Sequence, residues 1–143
     1  ERSIVHLDGC SIGYSDEFGI RWFLQNFADR WGWTPKLESG NVIALKKDQA
    51  SITLEPGGQF EISGAPHSDL VDLVTEFEHN RDCLNQLANE ANLRVITCGL
   101  TPIMDINDIG WMPKGRYKIM REYLPQHGDL AHGTRRLRRM RER

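Results

Sequence analysis

Residues 51–66 read SITLEPGGQFEISGAP. A β-type run ends on Glu55, breaks on Pro56-Gly57-Gly58 and resumes through Gln59, Phe60 and Glu61. Side chains alternate across a strand, so Thr53 and Glu55 share a face, and so do Gln59 and Glu61. The Pro-Gly-Gly break lets the backbone turn sharply without Cβ clashes. The stretch predicts an antiparallel pair whose carboxylates, Glu55 and Glu61, converge on one concave sheet face. Carboxylates held close together repel each other, and a cation between them offsets that repulsion. Magnesium suits such a site, because it takes one or two carboxylates, keeps waters and shares the rest with substrate phosphates. The plainer alternative is a solvated hairpin with two edge carboxylates.

The pattern continues on both sides. Residues 41–46 (NVIALK) form a β-branched strand, and the turn Lys47-Asp48-Gln49 joins them to a strand at residues 50–55, followed by one at 59–63. Turns this short make hairpins rather than crossovers, giving a three-stranded meander. Upstream, residues 2–7 read as a short strand ended by Asp8-Gly9. A helix starts near Ser15-Asp16, carries Ile20, Phe23, Leu24, Phe27 and Trp31 on one stripe, and ends at Gly32. Trp22 and Trp33 flank that stripe as packing residues. Downstream, Ser68-Asp69 caps the longest helix, with Leu70, Leu73, Val74, Phe77, Leu84, Leu87, Ala88 and Ala91 on its apolar side. Residues 94–98 form another strand, a loop runs from Gly99 to Pro113, and a last helix over residues 115–123 stops before Pro125. The order β, α, βββ, α, β, α predicts an α+β fold, an antiparallel sheet with helices packed on one face.

Length and composition set the class. The chain has 143 residues, 39% hydrophobic and 27% charged, which fits one domain of an ordinary globular protein. It has no apolar run long enough to span a membrane and no secretory signal, so we expect a cytoplasmic protein with no membrane partner. The absence of a starting Met points to a chain that begins inside a longer protein. Cys10, Cys83 and Cys98 are widely spaced and odd in number, which argues against a disulfide framework or zinc site and for buried thiols in a reducing compartment. The formal charge is -2, yet residues 134–143 (TRRLRRMRER) hold six Arg and one Glu, so the remainder carries -7 against a tail of +5. That divides the chain into a folded part, 1–133, and a basic, disordered tail, 134–143, able to bind nucleic acid only non-specifically.

A second segment carries chemistry: WMPKGRYKIMREYLP, residues 111–125. Lys114, Arg116, Lys118 and Arg121 crowd the start of a helix, where backbone N–H groups attract anions. Arg116 adds a planar fork for carboxylate or phosphate, and Tyr117 adds a hydroxyl. The alternative is a basic amphipathic helix in which Tyr117, Met120 and Tyr123 pack inward. A divalent-metal site beside an anion-binding segment suits phosphoryl transfer or ATP-dependent ligation.

These two strings, in this order, resemble the glutamate–cysteine ligases of the plant and proteobacterial type, over roughly residues 36–133. The helix after Glu76 and the strand RVITCGL fit the same pattern. The resemblance implies part of a glutamine synthetase-like fold. It also implies an ATP-dependent reaction in which the γ-carboxyl of L-glutamate is phosphorylated and then joined to L-cysteine, the first step of glutathione biosynthesis. ATP and Mg2+ are the implied cofactors, with glutamate and cysteine as small-molecule partners. Carried over by position, Glu55 and Glu61 are metal ligands. Arg116 and Lys114 are catalytic. Arg116, Tyr117, Gln59, Gly57 and Gly58 bind substrate or shape its site. Glu1 matches the end of a Gly-x-Glu-x-Glu-Lys metal-binding strand and is a further metal candidate. After Gly133 the chain departs from the family pattern, so we expect a truncated ligase, whether active or inactive by itself, with self-association through open strand edges. A related ligase with another amine acceptor and a non-catalytic fragment are the alternatives.

Overall fold

A computed structural model describes residues 1–98, 103–105 and 108–123. Nine elements follow in order: β1 (Ser3–Val5), α1 (Ile20–Trp31), β2 (Thr34–Glu38), β3 (Asn41–Lys47), β4 (Ala50–Leu54), β5 (Phe60–Ser63), α2 (Leu70–Glu90), β6 (Arg94–Ile96) and α3 (Gly115–Tyr123). The fold is α+β, as expected. β2, β3, β4 and β5 form an antiparallel meander in that order, and β1 pairs antiparallel with β6. A bridge joins the two sheets: Arg2 N–H donates to Phe60 O and Phe60 N–H to Arg2 O, both at 2.8 Å.

Register follows from burial. Leu45 lies opposite Ile52 and Ile52 opposite Ile62, so these share the apolar face, while Ala44, Thr53 and Glu61 align on the other. α1 covers the apolar face. Its stripe Ile20, Phe23, Leu24 and Phe27 is buried, and the Phe23 ring meets Phe60 edge-on with centroids 6.2 Å apart. Gly32 ends α1 in the left-handed region at φ 68°, as the sequence indicates. Trp33 is buried beside Phe27, and Trp22 packs edge-on against Phe18 and Phe23.

Several expectations are corrected. The meander has a fourth strand, β2, in a segment where no element is expected from the sequence. Pro35 is tolerated because β2 is an edge strand with a side free of ladder bonds. α1 begins at Ile20 rather than near Ser15, because the Asp16 side chain accepts from Gly13 N–H at 2.6 Å and holds a turn instead. β1 and β6 are each three residues long, shorter than expected. Only Cys83 of the thiols is buried, and all three are free. The α2 stripe is half right. Cys83, Leu84, Leu87 and Ala88 are buried, while Leu70, Leu73, Val74 and Phe77 lie on an exposed half-helix. Asp69 caps α2, its carboxylate accepting from Val71 N–H at 2.6 Å. Pro125 and the boundary at 133 with its basic tail lie outside the described residues.

Phe27 is fully buried between α1 and the sheet and touches the Trp31 and Trp33 rings. Phe27→Ala is expected to cost about 3–5 kcal/mol, the range for a buried aromatic truncated to a cavity. Chemical denaturation should show a lower midpoint with the m-value unchanged.

Candidate functional site

The site is built where the meander runs out. Between Lys36 and Leu37 the β2–β3 register slips, leaving Ile43 without an opposite residue, and the last β3–β4 pair is Ala44 with Thr53. Phe60 spends its N–H and C=O on Arg2, so Leu54, its opposite on β4, points its own carbonyl the other way, past the end of β3 pairing. A buried carbonyl requires a donor. Lys114 Nζ donates to Leu54 O at 2.8 Å, and the Tyr117 hydroxyl donates to the same oxygen. Both side chains are buried, Lys114 at 7% and Tyr117 at 2% exposure. Two residues some 60 positions downstream thus take the place of the missing strand neighbour.

This contact brings α3 against the hairpin. Met112 N–H donates to Pro56 O at 3.2 Å, anchoring the segment to the turn. Gly58 closes that turn at φ 86°, and its N–H donates to Glu55 O at 2.9 Å. A Cβ at Gly58 would lie 3.1 Å from Met112 Cε and 3.3 Å from Ile20 Cγ1, so both conformation and packing ask for glycine there. Gly57 has no such conformational demand; its neighbours are the Gln59 side chain and Ile109. Gln59 holds the hairpin by accepting from Glu55 N–H at 3.0 Å through its backbone carbonyl.

Glu55 and Glu61 are half-buried. Glu61 accepts from the Thr53 hydroxyl at 2.9 Å, which fixes it on the polar face, and alternation places Glu55 with Thr53. The field of both carboxylates reaches Lys114, Arg116 and Tyr117. Five of the residues singled out in the sequence therefore form one electrostatic cluster. Two cations of the protein itself stand near the carboxylate pair, a compensation the hairpin alone did not reveal. Arg116 is exposed and donates to the Tyr117 hydroxyl at 3.1 Å, with its guanidinium 5.0 Å from the ring centroid. Burial holds Lys114 down at about 8, with the Arg116 charge adding to the effect and Glu55, Glu61 and Glu38 opposing it. Burial likewise pushes the Tyr117 hydroxyl up.

Glu38 went unnoticed in the sequence. Its carboxylate accepts from Gly115 N–H at 2.5 Å, so the anion held at the start of α3 is a side chain of the protein itself. A Cβ at Gly115 would sit 2.7 Å from that oxygen. The residue was missed because no element is expected from the sequence where its strand lies. Glu1 stands apart, lining a cavity with Arg2, Phe60 and Ile62, and its charge is not among those acting on Lys114 or Arg116.

Among the described residues no group of three or more His, Cys, Asp or Glu could enclose a metal ion. The Glu55–Glu61 pair fits the less demanding case of a magnesium ion that keeps waters and borrows phosphate oxygens. Arg116 is the exposed cation beside that pair, available to an incoming carboxylate or phosphate.

Lys114 yields a pH prediction. Its folded value of about 8 lies below the ordinary 10.5, so the folded protein releases the proton first. Below pH 8 both states are charged and burial opposes folding. From pH 8 to about 10 the unfolded chain binds more protons, so this group's contribution to stability rises. Relative to Lys114→Met, the wild-type chain should gain stability across that window in denaturation at stepped pH.

Comparisons with known proteins bear on the family. The family model described as glutamate-cysteine ligase family 2 matches residues 3–135, starting well before the stretch that carries the resemblance. The chain is 41% identical over 112 residues to glutamate–cysteine ligase A, chloroplastic, of Oryza sativa subsp. japonica, covering 78% of this chain and 23% of that protein. It is 41% identical over 108 residues to the chloroplastic glutamate–cysteine ligase of Nicotiana tabacum, covering 76% of this chain and 21% of the relative. The corresponding protein of Arabidopsis thaliana is 40% identical over 108 residues, with the same coverage. The chain thus spans between a fifth and a quarter of the length of these relatives.

Proposed function

We infer the function from descent: the chain belongs to glutamate-cysteine ligase family 2. It carries part of the site of an ATP-dependent ligase that joins the γ-carboxyl of L-glutamate to the amine of L-cysteine. The observation that carries the proposal is the cluster in which Glu55 and Glu61 share a sheet face within the field of Lys114 and Arg116. An attacking carboxylate and a triphosphate repel each other, so such a site must gather positive charge where the two meet.

The residues divide the work. Arg116, exposed and planar, binds the glutamate carboxylate or a phosphate oxygen and orients it. Tyr117 and Lys114 hold α3 onto the Leu54 carbonyl and so fix where Arg116 stands. Gly57, Gly58 and Gln59 shape the turn beneath the substrates. Glu55 and Glu61 would hold Mg2+, which when bound neutralises phosphate charge and polarises the transferred phosphoryl group. In the reaction a γ-carboxylate oxygen bonds to the terminal phosphorus of ATP and ADP leaves. The cysteine amine then bonds to the acyl carbon, the C–O bond to phosphate breaks, and the amine gives up a proton. Glu1, next to the Arg2 that bridges to Phe60, stands apart from this cluster and is a further metal candidate by resemblance alone. We place the protein in a reducing cytosol where its three thiols stay free; the relatives named above are chloroplastic.

Thermal unfolding tests the proposal. Mg·ATP with glutamate should raise the Tm of the wild-type chain. Glu55→Gln or Glu61→Gln should weaken the magnesium requirement's half-saturation about tenfold, about 1.4 kcal/mol. An unfolding curve that ignores all three ligands together would remove the competent site from this chain. Product analysis with several amino acids as acceptors identifies the amine.

A further inference from the structure

A second site lies across the sheet. Arg2 pairs with Phe60, whose side chain is on the apolar face, whereas Glu61 is on the polar face. A cavity of about 300 Å³ opens there between β5 and the N-terminal half of α2. Arg2 and Asn80 line it, at 8% and 5% exposure. Charged and amide side chains are seldom buried to this degree without partners. Among the described residues, Arg2 forms no ion pair, and no hydrogen bond is made by either side chain. Among the described residues no fully enclosed side-chain nitrogen or oxygen lacks a partner, so the polar ends of Arg2 and Asn80 keep some exposure, and both residues line the cavity.

The Arg2 guanidinium lies over the Phe77 ring, its Cζ 4.8 Å from the ring centroid. The charge nearest in effect is that of Arg81, another cation. Glu76, on the same wall, is already engaged, accepting from Ala65 N–H at 3.1 Å and paired with His67 at 2.8 Å. The hollow therefore offers a five-donor cation and an amide at its base, with walls of Ile62, Leu73 and Phe77. Glu1 and Glu76 line the same cavity, and their carboxylates disfavour a second negative charge on the ligand.

We propose that the cavity between β5 and α2 is a binding site for a small monocarboxylate with an apolar body, its carboxylate on Arg2 and Asn80 and its hydrocarbon against Leu73 and Phe77. Guanidinium and carboxylate match in a two-point geometry, and a cavity of this size lies at the small end of ligand sites. The site is separate from the carboxylate–cation cluster around Leu54 and does not depend on ligase activity.

Phenylacetate is the probe, with phenylacetamide as its uncharged counterpart, read by thermal unfolding of the whole chain. Phenylacetate at saturating concentration should raise Tm by about 5 °C, and phenylacetamide should not. Arg2→Gln should abolish the shift. Because a buried residue is altered there, Leu73→Glu supplies a variant on an exposed wall position: unliganded Tm unchanged, phenylacetate shift lost. The proposal is overturned if wild-type Tm ignores phenylacetate, or if acid and amide shift it equally. It is also overturned if Leu73→Glu keeps the shift while Arg116→Gln loses it, which puts the carboxylate in the other cluster. Concentration-dependent dimerisation blocked by Leu73→Glu, with phenylacetate inert, would overturn it in favour of a second copy on this face.

Discussion

One backbone carbonyl organises the site. Leu54 ends β4 just where β3 slips register and stops pairing, and a buried acceptor left there would cost on the order of 1–3 kcal/mol. Lys114 and Tyr117 both donate to it, which closes the core on that side. The same contact sets α3 beside the Pro-Gly-Gly turn. Without it the cationic segment and the carboxylate hairpin would have no fixed relation. Glu38 completes the arrangement by accepting from the first N–H of α3, that of Gly115, from the far strand of the meander. The position of the site is thus decided by satisfying hydrogen bonds, and its chemistry is laid over that.

The electrostatics follow from the same placement. Glu55 and Glu61 on one face would be a liability in isolation, since each raises the cost of ionising the other. Arg116 and Lys114 bring positive charge to them from a remote part of the chain. The two cations are not equivalent. Lys114 is buried on a carbonyl, so its charge acts as a fixed background, whereas Arg116 faces solvent and is free to meet a ligand. This separates a lysine spent on a backbone carbonyl from an arginine open to solvent, although the sequence treats them as neighbours of one kind.

The helix α2 shows a similar division along its length. Its C-terminal half packs Leu84, Leu87 and Ala88 into the core, while its N-terminal half keeps Leu70, Val74 and Phe77 exposed. Periodicity records the stripe but not where the sheet beneath it ends. The cavity and the unpaired Arg2 lie at that end, where helix and sheet diverge.

By itself the sequence determined most local structure, because local signals act over a few residues. The Gly32 cap, the α1 stripe, the hairpin around Gly57-Gly58 and the last helix are all set by propensity and period. It also singled out members of the cluster, since Glu55, Glu61, Arg116 and Tyr117 stand out by type and spacing, and it showed the family. Strand β2 went unassigned in the sequence; it contains Pro35, which fits a strand only at an edge, and edge position is a property of the whole sheet. Glu38 was lost with it. Only the tertiary structure decided that Lys114 and Tyr117 meet at Leu54, that the hairpin carboxylates face these cations, and that half of α2 lies bare. Each depends on contacts between residues tens of positions apart, and such contacts follow from how sheet and helices close on one another.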